Sequence, residues 1–249
     1  MLFGSHPVVE RVEVLVPSLH PALDGLRIVQ LSDLHYLPFT KLGAIQAAVE
    51  KANCLQPDLI VLTGDYISHE ADTIFGLRTT LSKLNARLGV FAILGNHDAR
   101  AGARIISQGI AEAGIPLLRN TNVTLSMGHG SFNLAGIDDC LWGQPDLAAT
   151  LDGLNDAHPT ILLAHEPDKI DEFSETGRIQ LQLSGHTHGG QVRLPFWGTP
   201  VLPKLGEKYV QGLHCVNNTW LYINRGIGMV FLPIRFNAPP EVTELTLHR

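Results

Sequence analysis

Five times along this chain a short, almost wholly apolar run stops at a small cluster of polar residues. LRIVQL (residues 26–31) stops at Ser32-Asp33-Leu34-His35, and DLIVLT (58–63) stops at Gly64-Asp65-Tyr66. VFAIL (90–94) stops at Gly95-Asn96-His97-Asp98, and TILLA (160–164) at His165-Glu166-Pro167. IQLQL (179–183) runs into Ser184-Gly185-His186-Thr187-His188-Gly189-Gly190. Apolar runs this short, bounded by turn residues, read as strands buried on both faces. The segments between the first three have helical periodicity. Residues 41–55 place Leu42, Ile45, Val49 and Ala52 on one face, and residues 72–86 and 101–113 read as two further helices. Alternation of this kind predicts a parallel sheet covered on both faces. After Gly114 the pattern changes to short strands separated by turns, at residues 117–118, 123–127 and 132–137, which predicts antiparallel β structure. Strands near 12–16, 220–224 and 242–247 complete the reading. With no repeat and no linker, the 249 residues are expected to form one domain, 1–249, large enough for a full core without disulfides.

The spacing of the clusters decides where they go. Asp33 and Asp65 are 32 residues apart, and Asp65 and Asn96 are 31 apart. One βαβ unit takes about 30 residues, so these side chains fall at equivalent places just past the carboxyl ends of successive strands. Open α/β sheets bind ligands there. Carboxylates, an amide oxygen and several imidazoles form a mixed oxygen and nitrogen donor set without thiolate, suited to Mn, Fe, Zn, Co or Ni. The donors are too many for one ion and match two divalent metal ions about 3.5–4 Å apart. A lone Asp-x-His or Asn-His is an ordinary turn or loop; five such clusters at strand ends outweigh that reading.

In order, the blocks DxH, GD, GNHD, H and GHTH resemble the calcineurin-like metallophosphoesterase superfamily. The resemblance spans Asp33 to His188 and implies an α/β fold, a four-layer αββα sandwich of two mixed sheets flanked by helices. It also implies that Asp33, His35, Asp65 and His188 hold one ion. Asp65, Asn96, His165 and His186 would hold the second, with Asp65 bridging. His97 would be a catalytic histidine outside the ligand set, oriented by Asp98. The activity so implied is hydrolysis of a phosphomonoester, phosphodiester or pyrophosphate by a metal-bridging hydroxide. Two divalent cations, two aspartates and one hydroxide leave a net charge of about +1 to attract an anionic phosphate. The segments GHTHGGQVRLP, KYVQG, RGIG and PPEVTEL resemble a bacterial branch, some of whose members cleave UDP-2,3-diacylglucosamine in lipid A synthesis. A lipid nucleotide is therefore the narrower alternative substrate to a phosphorylated small molecule.

Other features are less specific. Arg193, just after GHTHGGQ, and Arg225, in NRGIG, are candidate phosphate donors, with a solvated arginine as the alternative. Asp138 and Asp139 either line the site or form a turn. The apolar stretches 194–197 and 229–234 read as core, or as a wall near the site that accepts acyl chains or touches a membrane surface. Cys54, Cys140 and Cys215 form no CxxC pair and read as reduced, buried thiols. The charge balance of 18 basic and 24 acidic residues, net −6, counts against a nucleic-acid partner and a nuclease role. A non-catalytic scaffold on the same fold would be expected to lack ligand positions, and here all are filled. The first residues, MLFGSHPVVERVEV, carry neither a basic n-region nor a long apolar h-region, and no run reaches a membrane span. The expected location is cytoplasmic, with peripheral contact to the inner membrane as the variant, and no obligate protein partner is inferred. Of the 12 histidines, five lie in the blocks, and the other seven are read as surface or core residues.

Overall fold

The computed structural model describes residues 6–249; the first five residues of the segment read for a leader lie outside the described residues. Among the described residues no helix is long and apolar enough to cross a membrane. The strands are β1 (Val8–Leu15), β2 (Leu26–Leu31), β3 (Leu59–Leu62), β4 (Val90–Ala92), β5 (Thr121–Met127) and β6 (Gly130–Gly136). They continue as β7 (Thr160–Leu163), β8 (Leu181–Ser184), β9 (Gly212–Val216), β10 (Thr219–Ile223) and β11 (Glu241–His248). The helices are α1 (Leu42–Cys54), α2 (Arg78–Leu81), α3 (Asn96–Glu112), α4 (Leu147–Leu151) and α5 (Ile170–Phe173).

Two mixed sheets stack face to face, one in the order β1-β11-β2-β3-β4 and the other β5-β6-β7-β8-β10-β9. The strand alternation explains the layering. In β2 and β3, Ile28, Leu59 and Val61 meet Phe132, Leu134, Ile161, Leu163 and Leu181 of the opposite sheet. Their neighbours Val29, Leu31, Ile60 and Leu62 point the other way, onto Ile45, Ala48 and Val49 of α1 and Ile106 and Ile110 of α3. On the far side Ala135 and Leu162 pack on Leu151 and Phe173. Each sheet is thus covered by helices on one face and by the other sheet on the second. The strands expected to be buried on both faces are so buried, and the four layers are those of the αββα sandwich.

Strands β2, β3 and β4 run parallel, in a register that pairs Leu31 with Leu62 and Leu62 with Ala92. This brings the Asp33, Asp65 and Asn96 loops to one rim. Two helices differ from the sequence reading. Residues 72–86 form a 3-10 turn (Ala71–Gly76) followed by only four residues of α2. A Cβ on Gly76 would lie 3.0 Å from the Tyr36 ring, so the chain passes close against that side chain there. Helix α3 begins at Asn96 rather than near 101, so the Asn96-His97-Asp98 cluster is its first turn. Its first turn is closed by the Asp98 carboxylate accepting from the Gly95 N–H, a polar contact that leaves no apolar periodicity to read. The cysteines also differ: Cys54 and Cys215 are exposed, and Cys140 is half-buried, all three free.

Candidate metal centre

The rim gathers seven of the predicted side chains. Asp33, His35 and His188 form one cluster of potential ligand atoms, and Asp65, His165 and His186 form another. Asp65 lies between them: it also clusters with His35 and His97, and its Oδ2 lies 3.4 Å from His35 Nε2 and 3.2 Å from His165 Nε2. Asn96 joins the second cluster, with Oδ1 2.9 Å from His186 Nδ1. Asp33, His35, Asp65, His186 and His188 all adopt positive φ, from 41° to 73°. Such backbone costs about 1–3 kcal/mol per residue and persists where the surroundings over-determine it. Here the surroundings include two close approaches. A Cβ on Gly95 would overlap the Asp65 carboxylate, and one on Gly185 would overlap Asp33 and Ser32, so only glycine lets these loops pass.

The hydrogen bonds behind the rings set their tautomers. His165 Nδ1 donates to the Thr63 carbonyl (2.6 Å), which leaves Nε2 as a lone pair facing Asp65. His186 Nε2 donates to the Lys204 carbonyl (2.9 Å), which turns the Nδ1 lone pair toward Asn96 Oδ1. The Nε2 atoms of His35 and His188 lie 3.0 Å apart, and His188 Nε2 is 3.3 Å from Asp33 Oδ1. Lone pairs that face lone pairs across 3 Å in a buried site repel unless a cation stands among them. The donor set therefore fits divalent metal ions. In the metal-free protein only protons can supply the positive charge. Burial opposes a charged His35 ring, but hydrogen bonds to Asp33 and Asp65 outweigh burial and raise it to about 9. His165 is likewise raised, by Asp65 against burial. Burial takes His186 and His188 the other way, to about 4.

Two residues around the clusters, Asp98 and Arg225, have roles different from those expected. Asp98 does not orient His97. Its Oδ2 accepts from the backbone of Asp65 (2.7 Å) and Gly95 (3.0 Å), and its Oδ1 accepts from Tyr66 (2.9 Å), so it fixes the loop that carries Asp65. The partner of His97 is the Ser68 carbonyl, 2.7 Å from Nδ1, and the His97 ring stands edge-on to His35 with centroids 4.7 Å apart. Arg225 is held by two carboxylates, Glu10 (2.8 Å) and Glu241 (2.6 Å), and is not a free phosphate donor. Arg193 ties down its loop through its backbone N–H to the Phe236 carbonyl (2.9 Å). Asp138 pairs with Arg119 (2.9 Å), and Asp139 caps Leu141 (3.2 Å) and Gly143 (3.0 Å), which makes the pair a turn.

One residue was missed. Arg235 is fully buried and, among the described residues, pairs with no carboxylate. It donates to the carbonyls of His188 (3.3 Å), Arg225 (2.8 Å), Gly228 (3.0 Å) and Ala238 (3.1 Å), and sits 3.3 Å from His188 Nδ1. Burial lowers it to about 10. Its sequence signal was a lone cation inside the apolar run MVFLPIRF.

A two-sheet αββα sandwich with aspartates and histidines gathered at one rim is the architecture of the metallophosphoesterases. This chain belongs to the calcineurin-like phosphoesterase family, whose model matches residues 26–190. It is 40% identical over 248 residues to the metallophosphoesterase YkuE of Bacillus subtilis (strain 168), covering 97% of this chain and 86% of the relative. It is 35% identical over 229 residues to the phosphodiesterase YaeI of Escherichia coli (strain K12), covering 89% of this chain and 82% of that one. Among solved structures, TT1561 of Thermus thermophilus superposes with a TM-score of 0.57 at 14% identity, over 82% of this chain and 90% of its own, a likeness of fold alone.

Proposed function

We propose that this protein is a metal-dependent phosphodiesterase with two divalent ions. Asp33, His35, Asp65 and His188 would hold the first, and Asp65, Asn96, His165 and His186 the second. The observation that carries the reading is the shared carboxylate: two buried clusters of facing lone pairs meet at Asp65. When bound, such ions polarise phosphoryl oxygens and lower the pKa of water. The protein supplies the rest. The Thr63 and Lys204 carbonyls lock the His165 and His186 rings with the correct nitrogen inward. The Ser68 carbonyl locks His97 through Nδ1, so Nε2 is the atom that can hand a proton to the leaving oxygen. Burial holds His97 below the ordinary histidine range in the metal-free protein. The diester preference is supported by the name of the 35%-identical relative, a phosphodiesterase. UDP-2,3-diacylglucosamine is the narrower alternative, favoured by the exposed apolar loops beside the rim.

The test is turnover after reconstitution with Mn, Fe, Zn, Co or Ni, on a monoester, bis-p-nitrophenyl phosphate, a cyclic nucleotide and the diacylated sugar nucleotide. The diester is expected to be hydrolysed with two ions bound. Two bound ions and no turnover on any substrate would refute the reading.

A further inference from the structure

The two apolar stretches read in the sequence as core or site wall are not core at their tips. Phe196 is 106% exposed, Trp197 85% and Phe231 83%, and Leu194, Val201, Leu232 and Ile234 are exposed with them. Residues 194–203 (LPFWGTPVLP) and 229–234 (MVFLPI) contain no charged side chain. Water-exposed apolar area of this kind marks a contact surface. The backbone adds a second observation. Phe196 and Phe231 have φ of 67° and 57°, the left-handed region where a bulky residue is strained and glycine is at ease. Each loop therefore holds a phenylalanine in solvent at a strained turn, a double disadvantage.

The loops are built rigidly into the metal rim. The Leu194 and Gly198 backbones exchange hydrogen bonds (2.8 and 3.0 Å), closing a tight turn around Pro195-Phe196-Trp197. Gln191, three residues after His188, lashes the loops together. Its side chain donates to the Val230 and Leu232 carbonyls (2.9 Å each) and accepts from Val230 N–H (2.8 Å). The first loop ends at Lys204, whose carbonyl holds His186, and the second begins after Gly228, which packs on His35. Arg193 and Lys204 bracket the first apolar tip. Aromatic tips between basic flanks complement a bilayer with an anionic surface: rings at the acyl boundary, cations among the phosphates.

We propose that these two loops dock the protein onto an anionic lipid bilayer with the metal rim facing it. On the phosphoesterase reading, the substrate is then a phosphoester whose head group the bilayer presents.

The test is flotation of the full chain with vesicles of phosphatidylcholine alone and of phosphatidylcholine with one quarter phosphatidylglycerol, with turnover of soluble bis-p-nitrophenyl phosphate measured alongside. Wild-type protein is expected to float with the anionic vesicles. The triple variant Phe196→Ser, Trp197→Ser, Phe231→Ser should partition at least ~10-fold less while hydrolysing the soluble diester as before. Arg193→Gln with Lys204→Gln should remove the preference for anionic vesicles. Wild-type protein that does not float, or a triple variant that floats equally, overturns the proposal. So does a wild-type dimer in gel filtration that the triple variant abolishes, since a second copy would then cover the patch. A wild type that floats but does not hydrolyse the diester speaks against the phosphoesterase reading and leaves docking standing.

Discussion

Replacing Asp98 by alanine separates two roles for that carboxylate. The side chain is buried and accepts from three backbone N–H groups, those of Asp65, Tyr66 and Gly95. Each buried donor left without an acceptor costs about 1–3 kcal/mol. A water entering the vacated space would satisfy one of them. The remaining two give a destabilisation of about 2–6 kcal/mol. At about 2–4 °C per kcal/mol for a domain of this size, the midpoint should fall by about 4–24 °C. Asp65 rides on the same loop, so divalent-ion binding should weaken at both clusters together. Asp98→Asn keeps one accepting oxygen, turns an NH2 toward backbone donors, and should lie between wild type and alanine. The assays are thermal unfolding of the metal-free protein and calorimetric titration with Mn2+. A midpoint within about 2 °C of wild type, with ion affinity unchanged and only turnover lost, would refute this account and restore the role first expected for Asp98, that of orienting His97.

Three further outcomes are expected. His97→Ala should lower turnover of bis-p-nitrophenyl phosphate by about 10²–10⁴-fold while two ions remain bound by elemental analysis; loss of metal would instead make His97 a ligand. In the metal-free protein His35 is raised from 6.5 to about 9, so its stabilising contribution is complete below pH 6.5 and is lost as pH rises through 9. The metal-free midpoint should therefore fall across that window, while Mn2+ affinity of the first cluster rises, because the ion held there displaces the His35 proton; calorimetry in buffers of different ionisation enthalpy reads that proton release. Arg235→Lys keeps a charge but cannot span four carbonyls, and should cost about 2–4 kcal/mol in thermal unfolding and weaken the ion held by His188.

The legible and illegible parts of this chain divide by distance along the sequence. A strand buried on both faces and a helix with one apolar face leave periodic marks on adjacent residues, so β2, β3, β7 and α1 were readable within a few positions. The near-constant interval from Asp33 to Asp65 to Asn96 placed three loops at one rim, because parallel strands of similar length must return at a similar interval. The expected donor set came from a resemblance of ordered blocks, and the fold brings those residues together. Contacts between distant residues left no such mark. Nothing near Arg225 in the sequence announces Glu10, which takes up its charge from 215 positions away. Asp98 adjoins His97 in the chain, yet as the third residue of a helix it points back at the Gly95 N–H and across to the Asp65 and Tyr66 amides.

Sequence periodicity thus settles which side chains leave water, since it depends only on the geometry of a strand or helix and the hydrophobic effect. The partner of each buried polar group is settled by the tertiary fold, because a hydrogen bond needs its atoms within about 3 Å in space, at whatever separation along the chain. That is why the aspartates and histidines of the rim could be read from the sequence, whereas Ser68 behind His97 and Arg235 behind His188 required the fold.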